Sequence, residues 1–163
     1  MVHRRIRPYE SKDAPFLCAV FFNAVRVVGL HAYSEEQVEA WAPMTPDPAA
    51  FEARARDGRL VLVVVDDSDV PVAYGELERN GHIDHLYCRS EVSGTGVGSA
   101  LYDQLEENAR EHQMTKLFVE ASEVARRLFL AKGFTEIRRQ EFCLRGVLLH
   151  NYMMEKWLLV PPK

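Results

Sequence analysis

Cysteine is scarce in this chain. The three in 163 residues, Cys18, Cys88 and Cys143, are odd in number and far apart, which leaves neither a disulfide framework nor a CxxC metal site to expect. Long apolar runs are missing too: the longest aliphatic run, Leu60 to Val65, has six residues, against the roughly 20 a membrane-spanning helix needs. The N-terminus, MVHRRIRPYE, has arginines but no apolar core, so it does not read as a signal peptide and a cytoplasmic location is expected. The six histidines have no ligand spacing. His82 and His85 lie three apart in a strand-like segment, which places them on opposite faces, so no metal is expected. Blocks of like charge are also absent. The 20 Lys and Arg interleave with 24 Asp and Glu for a net charge of −4, which argues against a nucleic-acid surface. No repeat, low-complexity segment or linker divides the chain, so residues 1–163 are expected to form a single domain.

What is present is an ordinary globular balance, with 47% hydrophobic and 27% charged residues, enough to bury a core without staples. Val2 to Tyr9 reads as a strand. Ser11 and Asp13 can cap a helix whose Ala14, Leu17, Phe21, Ala24, Val25 and Val28 recur at helical spacing, and Gly29 closes it. In SEEQVEAWAP, Ser34 and Gln37 form a capping box and Pro43 stops the helix. A further helix starts at Asp47 with Pro48 at its first position and ends at Gly58. Then the period changes to two. RLVLVVVDD, PVAYGELER and HIDHLYC read as an antiparallel meander, the last two joined by the two-residue hairpin turn Asn80-Gly81. A helix to about His112, a strand KLFVEA, a helix EVARRLFLAKG and a hairpin about Arg145-Gly146 close the chain. A strand-helix-strand unit from His82 to Ala121 requires a parallel neighbour, so the sheet is expected to be mixed.

The most informative stretch is SGTGVGSALYDQLEENARE, Ser93 to Glu111, three glycines between a strand and a helix. Such a turn aims unpaired amides at one point with the helix dipole behind them, an arrangement suited to phosphate. A Walker loop would need Gly-Lys-Ser/Thr, but Gly98 is followed by Ser99. A dinucleotide fingerprint fails as well, because Gly94, Gly96 and Gly98 give the wrong spacing. The stretch resembles the pyrophosphate motif of the GNAT superfamily of acyl-CoA-dependent N-acetyltransferases, Arg/Gln-x-x-Gly-x-Gly/Ala, with serine at its first position, Ser93. EVARRLFLAKGF is similar to that family's later segment, with Ala125, Gly133 and Phe134 in place, Phe129 at its tyrosine position and Ser122 at its asparagine position. AYSEEQVEAWAP and RGVLLHNYMMEKWL look like a bacterial subgroup of it.

The resemblance implies an α+β fold, an α/β mixed sheet that is mostly antiparallel, of about six or seven strands flanked by about four or five helices. One parallel pair, the strand ending at Cys88 and the strand KLFVEA, would splay. It implies acetyl-CoA as co-substrate, without a metal. Pantetheine would bond to the backbone of Leu86, Tyr87 and Cys88. The pyrophosphate would sit on amides from Ser93 through Gly94, Thr95, Gly96, Val97 and Gly98 to Ser99, and Ser122 and Phe129 would flank the cofactor.

Acetyl transfer needs a neutral amine, and an alkyl ammonium of pKa about 10.4 needs a base at neutral pH. Asp84 is the leading candidate, with Glu76, Glu78, Glu120 and a water relay as alternatives. Phe129 lacks a hydroxyl, so the proton for the departing thiolate falls to Tyr152, Tyr87, Cys88 or water. Tyr33, Trp41 and Asn151 are expected to line the acceptor pocket, with His31, Phe22 and Arg26 as further candidates. Met153, Met154 and Trp157 are assigned to the core or to a homodimer seam. The function expected is direct acetyl transfer to a primary amine of a small molecule or peptide. The alternative is an acyl-CoA-binding sensor without turnover.

Overall fold

The computed structural model describes residues 4–158; the closing Pro-Pro-Lys and the first residues of the expected N-terminal strand lie outside them. Strand β1 (Arg5–Pro8) is followed by a 3-10 turn (Ser11–Asp13) and helix α1 (Ala14–Arg26). Asp13 is buried and held by two bonds from the Arg7 guanidinium, of 2.8 and 2.9 Å. The expected closure of α1 at Gly29 is corrected: the helix ends at Arg26, and Gly29 lies inside a second 3-10 turn (Val28–His31). There a β-carbon would approach Val38 Cγ1 to 3.1 Å, so the residue lets the turn pack onto helix α2 (Glu35–Trp41). The capping box forms as expected, Gln37 N donating to Ser34 Oγ at 3.1 Å. Helix α3 (Pro48–Ala55) starts at Asp47, whose carboxylate accepts from Ala49 N at 3.0 Å.

The helical stretch Ser11–His31 is, by length and composition alone, long and apolar enough to cross a membrane, which counting uninterrupted runs overlooked. In the fold it is a core element, with Leu17, Cys18 and Val20 buried against β-strands.

Strands β2 (Leu60–Val65), β3 (Pro71–Leu77) and β4 (Ile83–Cys88) form the expected meander, and β1 adds to β2, all antiparallel. Helix α4 (Val97–Glu111) covers one face and α1 with α3 the other. Hence β2 is a nearly continuous aliphatic run, with Leu62 and Val64 facing α4 and Val61, Val63 and Val65 facing α1. Strand β5 (Lys116–Ala121), helix α5 (Arg126–Ala131), β6 (Thr135–Leu144) and β7 (Val147–Trp157) complete the chain, in a second sheet of order β5-β7-β6. Arg145 and Gly146 turn the last hairpin with φ of 49° and 77°.

The parallel pair between β4 and β5 shrinks to one bridge, His82 with Phe118, where Phe118 N donates to Gly81 O at 3.0 Å. Beyond it the strands part into two sheets. The His82 ring stacks on Phe118 at 5.0 Å, and its nitrogens meet Glu78 at 2.7 Å and Glu120 at 2.6 Å. Ligand atoms of Glu78, His82 and Asp84 lie within 4.8 Å of one another, but both imidazole nitrogens are already spent on carboxylates. Burial opposes the charge on His82, yet the two carboxylates raise its pKa above 6.5. A raised folded pKa gives stability that is full below the unfolded value and lost as pH rises through the folded one. Thermal melts between about pH 6 and 9 should therefore show a decline in the wild type that His82→Gln lacks; parallel profiles would refute the clasp.

Candidate active site

The parting of β4 and β5 opens two cavities. The larger, of about 460 Å³, runs from the C-terminal end of α1 along β4 to the glycine turn and α5. Ser93, Gly94, Gly96, Gly98 and Ser99 line it; Thr95 and Val97 do not. Gly94 and Gly96 take φ of 77° and 90° with nothing within 4 Å of an added β-carbon, so the turn needs glycine for its backbone and leaves the space above it open. Gly96 is the N-cap of α4 and offers no side chain to the first helical amides, so the N-terminal end of α4 faces the groove uncapped by a side chain. The sequence expectation of seven amides is narrowed: Ser93 N bonds Ser90 O at 3.2 Å and Thr95 N bonds Val92 O at 3.3 Å.

Where serine replaces a basic residue in the glycine motif, Arg127 of α5 lines the same groove and is exposed, with no ion pair among the described residues. Its place on the groove is not legible in the sequence, because it depends on how α5 folds back over the turn. Ser122 Oγ accepts from Ala125 N at 3.1 Å just before α5 and lines both cavities. Cys88 lies on the groove wall; burial pushes its thiol up to about 11, so it stays protonated.

The smaller cavity, of about 230 Å³, brings together Asp84, Tyr87, Tyr33, Trp41, His150 and Asn151. Phe129 also lines it, buried and packed edge-on to Phe134 and Tyr102 at 5.0 and 6.0 Å. Trp41, Leu86, Tyr87, Ser122 and Ala125 are walls of both cavities. Asn151 Oδ1 is buried without a hydrogen-bond partner among the described residues. His31, Phe22 and Arg26 line neither cavity; Arg26 donates to Ala42 O at 2.9 Å and lies over the Phe22 ring. Met154 is core, whereas Trp157 is 64% exposed beneath Lys116.

Asp84 sits at a bulge, since the register shifts between Glu76 and Leu77. Its Oδ2 accepts from Arg59 at 2.7 Å and Arg54 at 3.4 Å, leaving Oδ1 without a hydrogen bond among the described residues. Burial opposes ionisation, but the Arg59 hydrogen bond and the nearby Arg54 charge outweigh it and hold the Asp84 carboxyl below its usual value. Both guanidiniums also bond Glu76 Oε1, at 2.6 and 2.7 Å. Glu76 is 2% exposed, and burial pushes its carboxyl above the ordinary range despite them. His85 donates to or accepts from Tyr74 Oη at 2.8 Å; burial, then Arg54, drives its pKa down to about 3, so the ring is neutral.

On the far wall, β7 outruns β5. The β5 ladder ends at Ala121 opposite Tyr152, and the freed edge of β7 is capped by Tyr33, which donates to His150 O at 2.9 Å, and by Gln37, which donates to Leu148 O at 3.0 Å. Tyr33 Oη also accepts from Glu123 N at 2.8 Å. Tyr152 lines neither cavity; its hydroxyl donates to Glu123 Oε2 at 2.6 Å with Arg126 over its ring. Its pKa is raised by that bond first and by burial second. Glu123 and His150, 2.6 Å apart, carry no signal of their own in the sequence. Each adjoins a residue that does, Ser122 and Asn151, but where β5 stops relative to β7 has no local signature.

The family model of the acetyltransferase (GNAT) domain matches residues 30–156. The chain is 30% identical over 151 residues to the uncharacterized N-acetyltransferase YafP of Escherichia coli (strain K12), covering 92% of this chain and 93% of that protein. It is similar to the crystal structure of a GCN5-related N-acetyltransferase from Rhodopseudomonas palustris, with 36% identity, a TM-score of 0.85 and coverage of 94% and 95%. It shares its fold with the PaiA N-acetyltransferase of Thermoplasma acidophilum, solved in complex with coenzyme A, at 17% identity, a TM-score of 0.76 and coverage of 96% and 99%.

Proposed function

The chain belongs to the GNAT acetyltransferase family, and from that premise we propose that it moves the acetyl group of acetyl-CoA directly onto a primary amine of a small molecule or peptide. One observation carries the reading: the groove above the glycine turn and the smaller cavity share Trp41, Leu86, Tyr87, Ser122 and Ala125 as walls. A cofactor whose pyrophosphate rests on the α4 amides would thus lead its thioester into the smaller cavity. A relative of the same fold was solved in complex with coenzyme A, which supports a cofactor of that class. Strand β4 pairs with β3 on one edge and is free on the other past His82, so Leu86, Tyr87 and Cys88 have backbone groups to offer the pantetheine arm.

Direct transfer is favoured over an acyl-enzyme because the Cys88 thiol, pushed up to about 11 by burial, is the wrong protonation state for a nucleophile. Asp84 is assigned to hold the incoming ammonium. A carboxylate held below its usual pKa keeps its charge and is a weak base, and its Oδ1 is free for an N–H donor. Trp41, Tyr33, Tyr87 and Asn151 complete a cavity for an amine with a flat or apolar body.

The decisive experiment is thiol release from acetyl-CoA over a panel of small amines and peptide N-termini, with mass spectrometry of the product. Acetylated amine is the expected result. Tight CoA binding with no thiol release from any acceptor would overturn the reading. For the cofactor half, Arg127→Ala is expected to weaken acetyl-CoA binding by about three- to tenfold and to flatten its salt dependence. Calorimetry at two ionic strengths checks this, and unchanged affinity would remove Arg127 from the site.

A further inference from the structure

We propose that His150 is the base of this reaction, held in the reactive tautomer by Glu123; the proposal rests on the amine-acetyltransferase reading above. His150 lies on the wall of the smaller cavity. One ring nitrogen, Nε2, is 2.6 Å from Glu123 Oε2. That oxygen also accepts from the Tyr152 hydroxyl at 2.6 Å. The Tyr152 bond, with His150 and Arg126 acting against a smaller effect of burial, holds the Glu123 carboxyl below its ordinary value, so it is an ionised acceptor. Nε2 must then carry the proton, and the lone pair of neutral His150 resides on Nδ1.

Nδ1 has no hydrogen bond among the described residues. Nor is it a shielded atom, because Asn151 Oδ1 is the one buried, unpartnered side-chain nitrogen or oxygen among them. An unpaired, accessible Nδ1 on a cavity-lining ring is available to a ligand in that cavity. The carboxylate-imidazole pair is set from both sides. Tyr33 Oη accepts from the Glu123 backbone amide and donates to the His150 carbonyl, fixing the separation of the two residues at the main chain. Tyr33 itself is buried, its ring 5.3 Å from the imidazole.

The charged and titratable surroundings are Glu123 from the β5–α5 connection, Tyr33 ahead of α2, Tyr152 on β7, Glu141 opposite on β6, Arg139 on β6 and Arg126 on α5. Asp84 and Glu120 share the cavity wall.

In the reaction, an ammonium held by Asp84 gives one proton to His150 Nδ1. The neutral amine forms its N–C bond to the acetyl carbonyl carbon, and the C–S bond breaks. The remaining surplus proton on the adduct nitrogen passes to the departing thiolate, and His150 releases its proton to water as the amide leaves. Glu123 and Tyr33 are positioning residues.

The test uses the full chain with acetyl-CoA saturating. His150→Gln is expected to lower kcat/KM for the amine by about 10²- to 10⁴-fold near neutral pH while leaving acetyl-CoA affinity unchanged. The deficit should narrow as pH approaches the pKa of the amine, where free base no longer has to be generated. Glu123→Gln should lower kcat by less, with little change in acceptor KM, and shift the pH profile. Wild-type rate and profile in His150→Gln would overturn the proposal. A readout independent of turnover is the tautomer of His150 by ¹⁵N NMR: an Nε2–H form is expected, with that preference weakened in Glu123→Gln. An Nδ1–H form would overturn the proposal even in an active enzyme. The expected tautomer in a protein that acetylates no amine would support the pair and sink the acceptor reading instead.

Discussion

Replacing Gly81 by alanine is expected to remove about 3 kcal/mol of folding stability, near the upper end for a single substitution. The residue has φ of 95° and ends the turn into β4, and an added β-carbon would lie 2.0 Å from the carbonyl oxygen of Lys116 in β5. The obstacle is backbone, so no rotamer relieves it. Bringing that contact to even 3.0 Å means moving β5 away by about 1 Å, which strains or breaks the 3.0 Å bond from Phe118 N to Gly81 O. That bond is worth about 0.5–1.5 kcal/mol, and a β-carbon at this φ costs roughly 1–3 kcal/mol more. The same shift loosens the His82 clasp to Glu120 and widens the wedge that holds both cavities. Gly146→Ala is the control, since its φ is 77° with nothing within 4 Å. It bears the backbone strain alone, about 1–2 kcal/mol. Urea unfolding of both variants separates the effects, and a Gly81→Ala midpoint no lower than that of Gly146→Ala would show that β5 yields freely at this point.

Gly81 also marks where sequence reading is strong and where it stops. A hairpin at Asn80-Gly81 is legible because its chemistry is local, as are the Ser34-Gln37 capping box and the Asp47-Pro48 helix start, though the loop has three residues rather than two, Arg79 to Gly81, with Glu78 N donating to His82 O at 2.8 Å. The glycine turn is legible for the same reason: Gly94 and Gly96 need their positive φ whatever surrounds them. That the same Gly81 presses on β5 is a long-range fact with no trace in the dipeptide. So is the reduction of the expected parallel pair to the His82–Phe118 bridge. The family resemblance points to Asp84, yet the guanidiniums that hold it charged come from Arg54 on α3 and Arg59 just before β2. Arg127 and the Glu123–His150 pair follow the same rule, since each takes its meaning from an element distant in sequence. Tyr33, expected at an acceptor pocket, lines the smaller cavity, but its hydroxyl is committed to two backbone groups.

Substituting Arg59 by methionine is expected to destabilise the fold by about 3 kcal/mol at neutral pH, in the range for breaking a buried ion pair from one side. Methionine keeps the apolar stem, so the loss is electrostatic. Arg59 is 9% exposed at its side chain and joins Asp57, Asp84 and Glu76, with bonds of 2.7 Å to each of the last two. Without it the buried Glu76 retains Arg54 alone, and burial, already the largest influence on its carboxyl, pushes its pKa further above 4.5. A carboxyl whose folded pKa lies above the unfolded one contributes stability that is present below the unfolded value and lost as pH rises through the folded one. Asp84 acts in the same direction. Arg59 and its neighbours hold it below 3.8 in the wild type, giving stability above that pH which the variant forfeits in part. The gap between wild type and Arg59→Met should therefore be widest at neutral pH, narrow as pH falls toward about 4.5 and Glu76 protonates in both, and close only below 3.8, where Asp84 protonates. Denaturant unfolding at several pH values measures it. A gap that stays constant or grows on acidification would mean that Glu76 and Asp84 do not depend on Arg59 for their charge, and would also remove the physical basis for an Asp84 held below its usual pKa at the smaller cavity.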